Sequence, residues 1–126
     1  MNRLVGFAFQ EEFVCLAKAN GFSAARVAGQ HAFDAVVAGK RVQCKRKDFS
    51  ENGKVRIAKG QHKYTADAWD VLALSFRGQL FIVPAKTLLR GEWLSTVVYP
   101  HKLSNFVDRW DVFNKGVECE QQRQLF

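Results

Sequence analysis

The chain has 126 residues, of which 48% are hydrophobic and 25% charged, and this composition predicts one globular domain large enough to bury a core. Its apolar runs are far shorter than the roughly 20 residues that cross a bilayer, and no signal peptide is recognisable, which excludes a membrane protein and makes the cytoplasm the expected location. The formal net charge of +7 favours a polyanionic partner, and the three widely spaced cysteines encode neither a disulfide framework nor a zinc site.

The first predicted element is a helix over residues 4–19. Asn20-Gly21 supplies its stop signal, and a first strand is expected around residues 23–27. The apolar residues of the helix recur at helical spacing and mark the face that should pack on the core: Val5, Phe9, Phe13, Leu16 and Ala17.

A β-hairpin is predicted over residues 33–46. Gly39-Lys40 suits its two-residue turn, because glycine in the first central position is what a type II′ turn requires. Continued outward, this turn sets Asp34 directly opposite Lys45 at the open end. Side chains alternate along a strand, so one face of the ribbon is polar and the other belongs to the core. The polar face holds Asp34, Gln43 and Lys45, and the core face holds Ala35, Val37, Val42 and Cys44.

Residues 48–63 are polar and basic, with a turn signal at Asn52-Gly53, and form either a second ribbon or a mobile loop. Nine basic residues but only two acidic ones lie between residues 40 and 63, so the positive charge is local. Such a field attracts a phosphate backbone, whereas the alternative is a solvated surface without a ligand. The expected phosphate contacts are Arg46, Lys47, Lys54, Arg56, Lys59 and Lys63.

Two later segments, Val71–Phe76 and 79–83, are apolar on both faces and are joined at Arg77-Gly78, so they suit buried strands. A short helix is expected over residues 85–89. Further apolar residues at helical spacing predict a later helix: Leu103, Phe106, Val107, Trp110 and Phe113.

The order of a helix, then strands with a hairpin, then further helices predicts an α/β or α+β fold with a small mixed β-sheet flanked by helices. No repeat, low-complexity segment or linker divides the chain. A single domain, 1–126, should consist of a core over about residues 4–90 and a C-terminal helical extension over about residues 91–126.

The polar face of the hairpin offers what phosphodiester hydrolysis needs, namely hard oxygen ligands for a divalent metal and a positive charge beside the phosphate. Asp34 can supply a carboxylate oxygen, Gln43 an amide oxygen and Cys44 a backbone carbonyl. Lys45 would orient the attacking water or balance charge on the phosphate. The alternative is a cross-strand surface ion pair between Asp34 and Lys45, worth about 0–1 kcal/mol.

The order of these motifs resembles the PD-(D/E)XK nuclease superfamily, which implies a restriction-endonuclease-like core. In its first half, the pattern looks like that of the archaeal Holliday-junction resolvases. This half contains a helix with glutamate, then Gly21-Phe22, Arg26 and residues 33–37. The Q-x-K sequence at residues 43–45, followed by residues 69–74 and 81–85, is similar to the group I intron homing endonucleases of that superfamily. The resemblance covers residues 6–89.

By this resemblance, Asp34 matches the superfamily's metal-binding aspartate, Gln43 its second acidic position and Lys45 its lysine. Phe33 occupies the position of the proline for which the superfamily is named. Glutamine in place of an acid lowers the negative charge of the site and should weaken metal binding, although the homing-endonuclease branch is similar in carrying glutamine here.

Relatives also supply a glutamate from the first helix, at a spacing that falls on Gln10 in this chain. Gln10 has no carboxylate, but the next two residues, Glu11 and Glu12, do. On a helical wheel Glu12 borders the apolar face and Glu11 points away, but a shift in register would bring Glu11 inward, so both are candidates.

Other side chains near the motifs have two interpretations. His31, His62 and Tyr64 could touch phosphate or DNA, or be loop residues without a ligand. Asp70 sits where relatives carry an acid at the start of a strand, but a cap or surface role is favoured.

Together the patterns predict a Mg²⁺- or Mn²⁺-dependent endonuclease that hydrolyses DNA, either structure-specific, as a junction resolvase is, or of the homing type. Because one short chain has one site, cutting two strands requires a homodimer or a higher symmetric oligomer. The alternatives are a non-catalytic nucleic-acid-binding module on the same fold and an interaction subunit whose charge is incidental.

Overall fold

The computed structural model describes residues 2–28, 32–50, 52–58 and 63–114, with side chains from residue 8 onward. One α-helix, α1 (Asn2–Ala19), opens the chain. The strands that follow are β1 (Ala24–Arg26), β2 (Ala35–Val37), β3 (Lys40–Lys47), β4 (Val55–Arg56), β5 (Val71–Phe76), β6 (Gln79–Pro84), β7 (Leu89–Arg90), β8 (Trp93–Leu94) and β9 (Val97–Val98). Short 3₁₀ helices lie at Ala85–Leu88, Pro100–Lys102, Ser104–Phe106 and Trp110–Phe113. Among the described residues, no helix is long and apolar enough to cross a membrane.

Five strands form a central sheet in the order β1-β2-β3-β5-β6. β3 and β5 are parallel and the other neighbours antiparallel, so the sheet is mixed and the predicted α+β class is confirmed. The hairpin between β5 and β6 is also as predicted, because Arg77 and Gly78 both have positive φ, 51° and 81°, as a tight two-residue turn requires.

Helix α1 ends at the predicted stop. Gly21 has a φ of 89° and donates its N–H to the Lys18 carbonyl, while Phe22 donates to the Ala17 carbonyl. These two bonds form a Schellman cap, in which glycine takes the left-handed conformation at low cost. The chain can therefore turn back at once into β1.

The buried face of α1 is turned slightly from the predicted one. Leu16, expected in the core, is 39% exposed, and Val14 is buried in its place. Phe9, Phe13 and Ala17 are buried as predicted. The helix is thus rotated toward Val14, which also brings Glu11 closer to the sheet than the helical wheel suggested.

The sheet separates two apolar clusters. The helix core lies between α1 and the sheet and includes Val71 and Ala73 of β5. The ribbon core lies on the opposite face and includes Leu72 and Leu74 of the same strand. Alternate residues of β5 are therefore buried on both faces, as its apolar sequence predicted.

In the described part of the chain, the ribbon core is covered by short strands and 3₁₀ helices. β4 pairs with β9, and β7 pairs with β8. The segment over residues 48–63 therefore contributes one strand of a ribbon, but its partner comes from much later in the chain.

The continuous helix predicted through Leu103 and Phe113 is wrong, because this stretch forms two separate short 3₁₀ helices, Ser104–Phe106 and Trp110–Phe113. Leu103 belongs to the ribbon core and Phe113 to the helix core. Between them the chain passes the edge of β6, where Asp108, with a φ of 50°, donates its N–H to the Leu80 carbonyl. Apolar residues at helical spacing are here divided between two faces of the sheet, so a continuous helix could not bury both sets.

Candidate active site

The hairpin of β2 and β3 turns one residue earlier than predicted. Its central residues are Ala38 and Gly39, with φ of 51° and 81°, which are the positive values of a type I′ turn. Val37 therefore pairs with Lys40, and Ala35 pairs with Val42. The predicted type II′ turn at Gly39-Lys40 is wrong, because it did not allow for a left-handed alanine.

The shift changes each cross-strand partner by two residues, so the faces of the ribbon are unchanged. The predicted core residues of the hairpin are all in the helix core: Ala35, Val37, Val42 and Cys44. The partner of Asp34 does change. The observed register, continued by one residue, sets Asp34 level with Gln43 and not opposite Lys45.

Asp34 lies just before β2, where the chain leaves the edge of β3. Its backbone N–H donates to the Val42 carbonyl at 2.8 Å, and its Oδ2 accepts the Cys44 N–H at 3.0 Å. The carboxylate thus accepts the hydrogen bond that the backbone of a neighbouring strand would otherwise accept from Cys44. The N–H and C=O of one strand residue point to the same edge, so the Cys44 carbonyl also faces the Asp34 side.

Gln43 and Lys45 flank Cys44 on the opposite face of β3. In the parallel register they lie beside Leu72 and Leu74 of the ribbon core. Gln43 is 3% exposed and is the only buried polar residue in the described ranges. Its amide supplies a neutral oxygen on the same face of β3 as Lys45.

These donors fit a hard divalent cation such as Mg²⁺. A carboxylate, an amide oxygen and a backbone carbonyl are all oxygen ligands, and Mg²⁺ commonly takes only one or two carboxylates and completes its shell with waters and substrate phosphate. No group of three His, Cys, Asp or Glu side chains that could hold a metal exists within the described residues. Any cation here would therefore depend on the substrate for some of its ligands.

The Cys44 thiol has no role in this chemistry. Burial raises its pKa, and the neighbouring Asp34 carboxylate raises it further. The thiol stays protonated at neutral pH and is not a nucleophile. Its place in the helix core agrees with the prediction that it is a small buried residue.

Arg41, two residues before Gln43, is bound to the start of β5. Its Nε and Nη2 donate to the Asp70 carboxylate at 3.2 and 3.0 Å, and its backbone N–H donates to the same carboxylate at 2.8 Å. The guanidinium also lies 5.9 Å from the ring centre of Phe33. Asp70 therefore has a specific structural role at the surface. It binds Arg41, which lies over the ring of Phe33, the residue before Asp34.

The helix carboxylates occupy different positions. Glu11 accepts a hydrogen bond from Arg26 at 2.5 Å, whereas Glu12 and Gln10 form no such bond with any described residue; both glutamates are exposed. Arg26 pairs with Ala35, and the next residue, Val27, donates its N–H to the Asp34 carbonyl. Glu11 is therefore the helix carboxylate that lies nearer the Asp34 end of the sheet, one strand away.

The predicted phosphate contacts lie on the exposed surface. Arg46 pairs with Asp48 at 3.2 Å, and both are exposed at the end of β3. The other exposed cations of this set are Lys47, Lys54, Arg56 and Lys63. Lys59, His31 and His62 lie outside the described residues.

Two features of this region depend on parts of the chain that are distant in sequence. The contact of Arg41 with Phe33 joins residues eight positions apart and depends on the hairpin register. Tyr64 is half-buried, and burial raises the pKa of its phenol, with a smaller contribution from the charge of Asp34. Its position follows from the path of the chain around β8, which no local pattern encodes.

The chain is similar in structure to a bacterial homing endonuclease, I-Ssp6803I. The two share 14% sequence identity at a TM-score of 0.66, and the match covers 92% of this chain and 95% of the other. No protein-family profile and no curated protein sequence matches the chain. The likeness shows that this mixed sheet with one packed helix is the fold of that nuclease.

Proposed function

We propose that this chain is a metal-dependent endonuclease that hydrolyses DNA, with its site at Asp34, Gln43, Cys44 and Lys45. The observation that carries the proposal is the bond from the Cys44 N–H to the Asp34 carboxylate at 3.0 Å, which holds the carboxylate beside the two flanking polar residues. The shared fold with a homing endonuclease supports the same conclusion. We also propose that the chain belongs to the PD-(D/E)XK superfamily, which its motifs resemble.

Each group has a defined role. Asp34, the Gln43 amide oxygen and the Cys44 carbonyl would hold Mg²⁺ or Mn²⁺, which when bound would supply positive charge to the phosphate and an activated water. Lys45 carries a fixed positive charge on the face of Gln43, suited to orient the water and stabilise charge that develops on the phosphate. Glu11 assists from the helix by fixing Arg26 at the neighbouring strand.

The substrate is held by positive charge rather than by a deep pocket. The exposed cations of the phosphate-contact set include Arg46 and Lys47 at the end of β3, and Lys54 and Arg56 beside and within β4. Contacts of this kind position a nucleic-acid backbone without reading its sequence. Because each chain has one such site, we expect cleavage of both strands to need a homodimer or a higher symmetric oligomer, and a monomer in sedimentation with DNA would contradict that part of the proposal.

A supercoiled plasmid tests the proposal. We expect the wild-type chain to nick it with Mg²⁺ and not with EDTA, and Asp34→Asn to cut about 100-fold more slowly because one ligand charge is lost. Asp111→Asn, at an exposed carboxylate of the last described turn, is the matched control and should cut normally. Absence of metal-dependent cleavage on plasmid, branched and single-stranded DNA would refute the proposal.

The second candidate is a non-catalytic DNA-binding module. It is favoured by Gln43, since an amide stands where the resemblance expects an acid. This candidate keeps the basic surface and predicts salt-dependent binding without cleavage. The plasmid experiment separates the two, because only the nuclease requires the divalent metal.

A further inference from the structure

Tyr64 is a fixed aromatic residue on the ribbon-core side of the sheet. Its ring stands edge-on to Trp69, with 5.7 Å between ring centres, and Trp69 is 1% exposed at the start of β5. Its backbone carbonyl accepts the N–H of Leu94 at 2.8 Å. Backbone and ring are thus both anchored, so the hydroxyl has a defined position.

The ring of Tyr64 lies on the ribbon-core side of the sheet, together with Phe33. Phe33 directly precedes Asp34, and the Leu72 and Leu74 side chains of the same cluster lie beside Gln43 and Lys45. Tyr64 therefore shares a face of the sheet with the polar residues of the site.

The Tyr64 hydroxyl is available to a ligand. It makes no hydrogen bond to any residue that the structure describes. Burial raises the pKa of the phenol, and the charge of Asp34 raises it further. The hydroxyl is therefore neutral at physiological pH, and a neutral phenol is a hydrogen-bond donor.

We propose that the Tyr64 hydroxyl donates a hydrogen bond to a non-bridging oxygen of the DNA phosphate at the Asp34 site. This inference rests on the proposed function and adds a substrate-binding residue to it. No proton is transferred, because the phenol remains protonated throughout. The bond would strengthen as negative charge grows on the phosphate oxygens during hydrolysis.

The two tyrosines of the chain provide a matched pair of variants. Tyr64→Phe removes only the hydroxyl, and Tyr99→Phe makes the same change at an exposed ring that stacks with Lys102. With Mg²⁺ and a single turnover, we expect Tyr64→Phe to cleave about 100-fold more slowly. Tyr99→Phe should cleave at the wild-type rate, and equal rates for all three proteins would overturn the inference.

If the wild-type chain binds DNA without cutting it, the proposed function fails while the inference is still tested by affinity. Tyr64→Phe should then bind DNA about 5- to 10-fold more weakly than Tyr99→Phe, as expected for one lost hydrogen bond to a charged group. Equal affinities would overturn the inference independently of catalysis.

Discussion

Gln43 occupies a position where a charge would be expensive. The residue is 3% exposed and lies in register with Leu72 of the ribbon core. A neutral amide costs less to bury there than a carboxylate, which would have to be paired to remain ionised. Glutamine thus lets the metal-free chain fold stably, at the expense of weaker attraction for a cation.

Replacing this amide by an acid should couple folding to metal. We expect Gln43→Glu to lower the free energy of unfolding by about 3 kcal/mol in EDTA, because it buries an unpaired charge. Saturating Mg²⁺ or Ca²⁺ should restore most of that loss and raise the melting temperature more than it does for the wild type.

The matched control is Gln79→Glu, at an exposed position on β6, where the change should stay within about 0.5 kcal/mol with or without metal. Thermal unfolding of the three proteins checks the prediction. A Gln43→Glu variant that is as stable as the wild type in EDTA, or that gains nothing from the cation, would contradict it.

At the scale of elements, the link between β3 and β5 sets the geometry of the site. Arg41 and Asp70 exchange side-chain and backbone bonds, since the Asp70 N–H also donates to the Arg41 carbonyl at 2.8 Å. Burial alone would raise the pKa of Asp70, but the hydrogen bonds and charge of Arg41 outweigh it and hold the pKa below its ordinary value.

Because its folded-state pKa is lowered, Asp70 contributes stability that is present above its unfolded pKa of about 3.9 and is lost as pH falls below that value. Asp70→Asn should therefore lower the free energy of unfolding by about 0.5–1 kcal/mol at pH 7, a modest loss because the pair is partly exposed. The two stability curves should converge at acid pH.

Asp48→Asn removes the exposed partner of Arg46 and serves as the control, with an expected change within about 0.5 kcal/mol. Urea unfolding of the three proteins at pH 7 and at acid pH gives the comparison. A constant difference between Asp70→Asn and the wild type at both values would show that the carboxylate charge is not responsible.

How far the elements could be predicted depended on whether the deciding signal was local. The β5–β6 hairpin is confirmed because Arg77-Gly78 marks its turn and apolar residues fill both strands. The β2–β3 turn was wrong by one residue, since Gly39 fits either central position and the left-handed Ala38 has no sequence signature. The core face was still correct, because the resulting shift of two residues preserves alternation.

Features that depend on distant partners were not predictable. The spacing from Leu103 to Phe113 is helical, but which side of the sheet each residue covers depends on the passage around β6. Strand β4 likewise needs β9, which lies some forty residues later in the chain. For the same reason, the sequence brought Asp34 to the correct part of β3 but not to the Cys44 N–H that holds it.

At the scale of the whole molecule, the excess charge of +7 should govern affinity for DNA. We expect binding to weaken steeply with salt, because each neutralised phosphate releases counter-ions. Replacing Lys54 and Arg56 together by alanine should reduce the slope of log K against log salt by about 1.8, at roughly 0.9 per contact.

Lys18→Ala, on the helix, is the control for that double variant and should leave the slope unchanged. Fluorescence anisotropy with a short duplex at several salt concentrations provides the measurement. An affinity that hardly responds to salt would contradict a phosphate-binding surface and favour the interaction subunit.

Cleavage and DNA binding by Lys45→Ala test most directly whether β3 carries the active site. Lys45 is half-buried on the face of Gln43, whereas Lys86, the control, is exposed on the 3₁₀ turn after β6. In Mg²⁺, we expect Lys45→Ala to lose single-turnover cleavage by about 100-fold or more, while its affinity for DNA in Ca²⁺ changes by only a few-fold. Lys86→Ala should match the wild type in both assays. Cleavage by Lys45→Ala at the wild-type rate would contradict the central claim that this strand carries the active site.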